Sequence, residues 1–71
     1  MVYERSFDIE RGGTANVSTG DPRNFKDVDH GRIGRVYVHV SPSSMTYEEA
    51  HRLANALLEI AATARYNAKN V

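Results

Sequence analysis

The 71-residue sequence contains neither cysteine nor tryptophan, and it has only two prolines. The lack of cysteine excludes disulfides, thiolate metal sites and thiol nucleophiles. A single core in a domain of this size supplies only about 3–5 kcal/mol of net stability, and natural domains often supplement it with a disulfide, a metal or a second subunit. Because a disulfide is excluded, we expect a second subunit and predict a homodimer.

Excess charge of one sign is also lacking, because nine basic side chains balance nine acidic ones. Proteins that bind nucleic acid mainly through its phosphates usually carry a basic excess. No apolar run is long enough to cross a bilayer, and residues 1–5 lack the apolar core of a signal peptide. We therefore expect a cytoplasmic protein without a membrane partner, and we do not expect nucleic acid to be its main ligand.

The last third of the chain predicts one long amphipathic helix over residues 47–67. Thr46 and Glu49 have the spacing of a capping box, in which each side chain binds an otherwise unpaired N–H at the helix start. Apolar residues then recur at steps of three and four and form an arc of about 160°. The members of this arc are Ala50, Leu53, Ala54, Leu57, Leu58, Ile60, Ala61 and Ala64. We assign the side with Leu53, Leu57 and Ile60 to the core.

Two segments, residues 2–10 and 33–41, alternate between apolar and polar side chains, which is typical of half-buried strands. A short strand over residues 14–18 has only two apolar residues in its favour. The outward side chains of the first segment are mainly acidic, and those of the 33–41 segment include Arg35 and His39. Because opposite charges on adjacent strands stabilise each other modestly, we expect these two segments to be neighbours.

Residues 19–32 are rich in glycine, aspartate, proline and asparagine, and they predict a loop. Phe25 and Val28 are its apolar anchors. They either fix the loop to the core or belong to a ragged strand that pairs with residues 33–41. A turn, Ser41-Pro42-Ser43-Ser44, precedes the helix.

Taken in chain order, these elements predict one α+β domain over residues 1–71. Its sheet has two or three antiparallel strands, and the C-terminal helix packs on one face.

The histidines, serines and carboxylates of the sequence match no catalytic or metal-binding motif. Asp27, Asp29 and His30 offer oxygen and nitrogen ligands from one loop, but they match no metal-binding spacing. His39 and His51 would need a hydrogen-bonded serine to form a nucleophilic site, and Ser41, Ser43 and Ser44 lack the glycines of a nucleophile elbow. We therefore predict no catalytic residue, metal or cofactor, and hence no enzyme.

The helix arc is wider than a narrow sheet can cover, so its edge with Ala54, Leu58 and Ala61 is our candidate interface. Tyr66 and Tyr37 are added as aromatic anchors. This predicts a protein-interaction module that binds itself or another protein. The alternative is a small nucleic-acid-binding regulatory domain that uses the outer face of the sheet. Its cations would be opposed by carboxylates on the same face. The cations and polar groups are Arg35, Tyr37, His39, Arg23, Lys26 and Arg32, and the carboxylates are Glu4, Asp8 and Glu10.

The helix segment Glu48–Glu59 reads EEAHRLANALLE and follows a valine-rich strand and a Ser/Pro turn. Over residues 36–65 the chain resembles small uncharacterised proteins of actinobacteria and their bacteriophages. The resemblance implies a phage or actinobacterial origin, a bacterial host cell and a host protein as the partner. It carries no active-site motif, so no site residue is transferred.

Overall fold

The computed structural model describes residues 1–41 and 43–70, except for the side chain at position 11, so Pro42 of the predicted turn lies outside the described residues. The elements are β1 (Glu4–Ile9), a 3₁₀ helix (Glu10–Gly12), β2 (Gly13–Thr19), α1 (Phe25–Asp29), β3 (Val36–Ser41) and α2 (Tyr47–Lys69). The strands form an antiparallel sheet in the order β1-β2-β3, and α2 packs on one face. The α+β prediction is therefore confirmed in its three-stranded form.

The central strand is β2, whose predicted span was the least supported by sequence. Its residues Ala15, Val17 and Thr19 are buried and point towards α2. The short 3₁₀ helix folds β2 directly back on β1, so that Phe7 lies opposite Ala15, and β3 then pairs with the other edge. The prediction that β1 and β3 are neighbours is wrong. A hairpin with a three-residue connection places β2 beside β1 at once, whereas surface charge pairs stabilise too little to decide strand order.

The hydrophobic core lies between β2 and α2. Val17 and Ile60 are fully buried, Ala56 lies beside them, and Leu53 and Leu57 pack around this centre. The core side of the predicted helix arc is therefore the side that the structure buries.

The start of α2 is held by a complete capping box. The Thr46 hydroxyl accepts from the Glu49 N–H at 3.1 Å, and Glu49 Oε1 accepts from the Thr46 N–H at 3.0 Å. Glu49 Oε2 also accepts from the Glu10 N–H at 3.0 Å, which links α2 to the end of β1. These N–H donors, above all that of Thr46, hold the pKa of Glu49 below its ordinary value. The helix start is thus attached to the sheet as well as capped.

The predicted loop 19–32 contains the short helix α1, and both sequence-based readings of its apolar residues are wrong. Phe25 is 79% exposed and Val28 is 46% exposed, so neither fixes the loop to the core nor belongs to a strand. Polar contacts order the segment instead. The Asn24 side chain accepts from the Lys26 and Asp27 N–H groups, and Asp27 Oδ2 accepts from the Asp21 N–H at 2.9 Å. Side-chain capping of this kind needs no apolar anchor.

Candidate functional site

Three valines of β3 form an apolar row on the side of the sheet that carries α2. Val36, Val38 and Val40 lie opposite the buried residues Thr19, Val17 and Ala15 of β2. Directly opposite residues share a face of the sheet, so this valine row points to the same side as the core. Yet Val38 is 52% exposed and Val36 is 37% exposed, and Val40 is only half-buried. The valine row is therefore oriented like the core residues, but no other part of the described structure covers it completely.

The position of α2 across the sheet explains this exposure. Arg5 of β1 donates to Glu59 of α2 from two guanidinium nitrogens, Nε to Oε1 at 2.6 Å and Nη2 to Oε2 at 3.3 Å. This charge-assisted pair lowers the pKa of Glu59 and links the helix to β1. A helix about 10 Å wide covers about two strands spaced about 4.8 Å apart. With α2 centred on β2 and linked to β1, Val36 and Val38 on the apolar side of β3 stay largely open.

One flank of α2 borders the valine row. Leu57 lies about 160° from Glu59 around the helix, so it faces the β3 side when Glu59 faces β1. Ala68 is about 20° from Leu57, and Gly34, just before β3, approaches it so closely that a Cβ on Gly34 would lie 2.8 Å from the Ala68 Cβ. The Gly34–Ala68 contact therefore places the Leu57 side of α2 next to β3, without relying on the Arg5–Glu59 ion pair. The α2 flank consists of Ala50, Leu53, Leu57 and Ala61.

The backbone edge of β3 is also free, because within residues 1–41 and 43–70 its only strand partner is β2. Natural proteins usually protect such edges with charged residues, proline, bulges or a covering segment. The strand from Val36 to Ser41 reads VYVHVS, in which Asp, Glu, Lys, Arg and proline are absent. The other edge strand, β1, carries Glu4, Arg5 and Asp8. The β3 edge therefore has the properties of a strand that accepts another strand.

The five predicted interface residues do not share one surface. Ala54, Leu58 and Ala61 are exposed, and Leu58 is 71% exposed. Leu58 lies about 160° around the helix from the fully buried Ile60, so it points away from the sheet rather than towards the valine row. Ala61 is only about 40° from Leu57 and therefore also belongs to the α2 flank. Whether it binds a partner stays a prediction.

The two tyrosines of that prediction lie elsewhere. Tyr66 is 55% exposed near the end of α2. Tyr37 lies opposite Ser18 on the outer face of the sheet, and the Arg32 guanidinium stands 4.5 Å from its ring centroid. Tyr37 is thus separated from α2 by the thickness of the sheet, and the stacked arginine covers one side of its ring.

The titratable residues considered for chemistry are spread over the molecule. Asp27 makes an ion pair with Arg32 at 3.5 Å in addition to its bond from Asp21, and His51 meets the Tyr47 ring edge-on at 6.5 Å. Over the part of the chain that the structure describes, no group of three or more metal-ligating side chains converges. The same part has no helix of the length and apolarity that a bilayer crossing requires.

Comparison with known proteins adds no assignment, since no family model, curated protein or solved structure matches this chain. The sequence resemblance to small actinobacterial and phage proteins therefore stays a prediction.

Sequence reasoning missed the valine row because the alternation over residues 33–41 shows that Val36, Val38 and Val40 share one side of a strand but not whether that side is covered. A signal was present in the chain itself. A short strand such as VYVHVS, in which three valines and a tyrosine favour the strand and Asp, Glu, Lys, Arg and proline are absent, is typical of a segment that pairs with another strand.

Proposed function

We propose that this chain is a non-enzymatic protein-interaction module that binds a partner protein along the free edge of β3. The observation that carries the proposal is the exposed valine row on an edge strand without Asp, Glu, Lys or Arg. An added strand would bond to the outward backbone groups of β3, and its alternate side chains would cover Val36, Val38 and the α2 flank. Strand addition of this kind takes affinity from main-chain hydrogen bonds and specificity from side chains on one face.

One open cleft of the described surface offers few groups for acid–base chemistry. An open cleft of about 530 Å³ lies between the 3₁₀ helix and the start of α2. Among its described lining residues, Glu10 is the only carboxylate and histidine is not represented. A general acid–base site needs a base within hydrogen-bonding reach of its substrate and an orienting partner.

The setting we propose is the cytoplasm of a bacterial cell, with a phage-encoded origin and a host protein or a second copy as the partner. These proposals rest on the sequence resemblance and on the size of the chain.

The test is affinity capture of partner proteins with two matched lysine variants. Val38→Lys places a charge in the valine row, where 52% of the side chain is already exposed, so the fold should tolerate it. Val28→Lys makes the same chemical change at a similarly exposed valine of α1, which is 46% exposed. We expect Val38→Lys to reduce the captured protein, including co-expressed second copies, by at least about tenfold, a loss of about 1.4 kcal/mol in affinity. Val28→Lys should leave it unchanged.

Equal capture by the wild type and Val38→Lys, with both folded by circular dichroism, would refute the β3 edge as the binding surface.

The nucleic-acid alternative has one structural observation in its favour, which is the Arg32–Tyr37 stack beside Arg35 on the outer face. The carboxylates of Glu4 and Asp8 share that face, because they lie opposite Ser18 and Thr14 of β2. A mobility-shift assay over a salt series separates the two functions. Binding that weakens steeply with salt and is lost with Arg35→Gln would replace our proposal.

A further inference from the structure

We propose that the partner at this edge is a second copy of the chain, paired antiparallel through β3, so that two three-stranded sheets become one six-stranded sheet. The inference rests on the proposed function, because it names the occupant of the same surface. Both copies then carry α2 on the same face of the joined sheet.

The valine row is complementary to itself in one register. A two-fold axis at Val38 places Val38 opposite its own copy and Val36 opposite Val40 of the second copy, so every valine of the row meets a valine. Moving the axis to Tyr37 or His39 leaves one valine of each copy without a valine opposite. A shift of pairing by one residue turns the valines of one copy towards the outer-face residues of the other. The axis at Val38 is therefore the register that joins the two rows completely.

The outer face accepts the same register without a clash of charges. Tyr37 lies opposite His39 of the second copy, and Arg35 lies opposite Ser41. Asp, Glu, Lys and Arg are absent from Val36–Ser41, so pairing buries no permanent charge of this strand without a partner. Like charges directly opposite each other would destabilise a strand pair, and this register has none.

The α2 helices leave a space of the right width above the joined strands. Each helix lies over β2, so the two helices are about three strand intervals, or about 14 Å, apart. Directly packed helices are about 8–10 Å apart. The additional width has to be filled by side chains, and those available are the valine rows below and Leu53 and Leu57 on each α2 flank. The pairing would thus close over a continuous apolar layer.

The size of this interface sets the expected affinity. A stable interface commonly buries about 800 Å² per partner and uses about 20–30 residues a side. That area is about a sixth of the 5083 Å² accessible surface of the chain. The six residues of β3 and the four of the α2 flank make a smaller contact. We therefore expect a dissociation constant of roughly micromolar order, and light scattering should show monomer turning into dimer over that concentration range.

Single cysteines test the register, because the chain has no native cysteine to compete with them. With the axis at Val38, the two Cα atoms of position 38 are about 4.5–5.5 Å apart, which suits a disulfide. The two copies of position 37 are about 8 Å apart by strand geometry, which exceeds the reach of a disulfide. We expect Val38→Cys to cross-link at least about tenfold faster than Tyr37→Cys under mild oxidation. Leu58→Cys, on the outward edge of α2, should be as slow as Tyr37→Cys.

A second pair of variants keeps the test independent of position 38. A mixture of Val36→Cys and Val40→Cys should give the mixed disulfide in preference to either symmetric one, because those positions lie opposite each other. Fastest cross-linking at Tyr37→Cys or Leu58→Cys would overturn the inference by showing another register or a helix-mediated dimer. A wild type that stays monomeric at about 1 mM would also overturn it. In that case the proposed function stands if Val38→Lys still abolishes capture of a different protein, and it fails as well if it does not.

Discussion

Replacement of Ile60 by alanine should remove most of the free energy of unfolding, because this side chain is the centre of a small core. Ile60 is fully buried between β2 and α2, against Val17 and Ala56. The change removes three buried carbons, worth about 0.8 kcal/mol each, and leaves a cavity that adds to the cost. We expect a loss of about 3–4 kcal/mol in the free energy of unfolding. That is close to the whole of the roughly 3–5 kcal/mol that a core of this size supplies.

The measurement is urea denaturation followed by far-UV circular dichroism at about 1 μM protein, where a weak dimer contributes little to stability. Since Ile60→Ala is expected to be too unstable for a full curve, Ile60→Val provides the quantitative value, with an expected loss of about 1 kcal/mol.

Leu58→Ala is the matched control, because Leu58 is on the same helix and 71% exposed. Its free energy of unfolding should stay within about 0.5 kcal/mol of the wild type. The reasoning would be refuted by a loss of more than about 1.5 kcal/mol for Leu58→Ala. It would be refuted equally by an Ile60→Val variant as stable as the wild type. Either result would mean that α2 is docked by a different face.

Two further predictions concern the contacts that position α2. Gly34→Ala should reduce the free energy of unfolding by more than Gly12→Ala in thermal or urea unfolding. Both glycines have positive φ, +81° at Gly34 and +75° at Gly12, but only at Gly34 would a Cβ meet a neighbour, the Ala68 Cβ at 2.8 Å. Ala68→Gly should therefore restore part of the stability lost in Gly34→Ala and none of that lost in Gly12→Ala. The second prediction concerns the Arg5 guanidinium, which holds the pKa of Glu59 below its ordinary 4.5. The unfolded chain therefore binds more protons than the folded chain near this pH. The stability from the pair is present above about pH 4.5 and is lost as the pH falls through the lowered pKa of Glu59. Carboxyl titration by NMR should show the Glu59 pKa returning towards 4.5 in Arg5→Gln, and an unchanged value would contradict the pairing.

The helix and the two outer strands could be predicted from sequence because their signals are local. The capping box spans only the four residues Thr46–Glu49 and begins α2 at the predicted residue. Alternation with a period of two identified the 2–10 and 33–41 segments, which the structure narrows to Glu4–Ile9 and Val36–Ser41. Each of these patterns depends only on residues that are close together in the sequence.

Strand order and the loop could not be predicted in the same way. The central strand β2 has only two apolar side chains, Ala15 and Val17, and both are buried directly beneath α2. A small residue such as Ala15 fits in this space, so the strand lacks a strong apolar pattern. Helix α1 has no buried residue at all, so it has no apolar periodicity to detect. Its capping by Asn24 is visible in the sequence only once the helix is known.

The sequence by itself determined the three strands and the long helix of this protein, and it determined which side of β1, β3 and α2 is apolar. Only the tertiary structure decided which apolar side remains exposed. That choice depends on where α2 lies across the sheet, which is set by the packing of Ile60 and Ala56 on Val17. The Arg5–Glu59 contact, whose residues are 54 positions apart in the chain, accompanies this packing. One helix covers only about two strands, so α2 centred on β2 leaves much of β3 open. The outward edge with Leu58 is visible from the helical pattern, whereas the valine row becomes a surface only through this long-range placement.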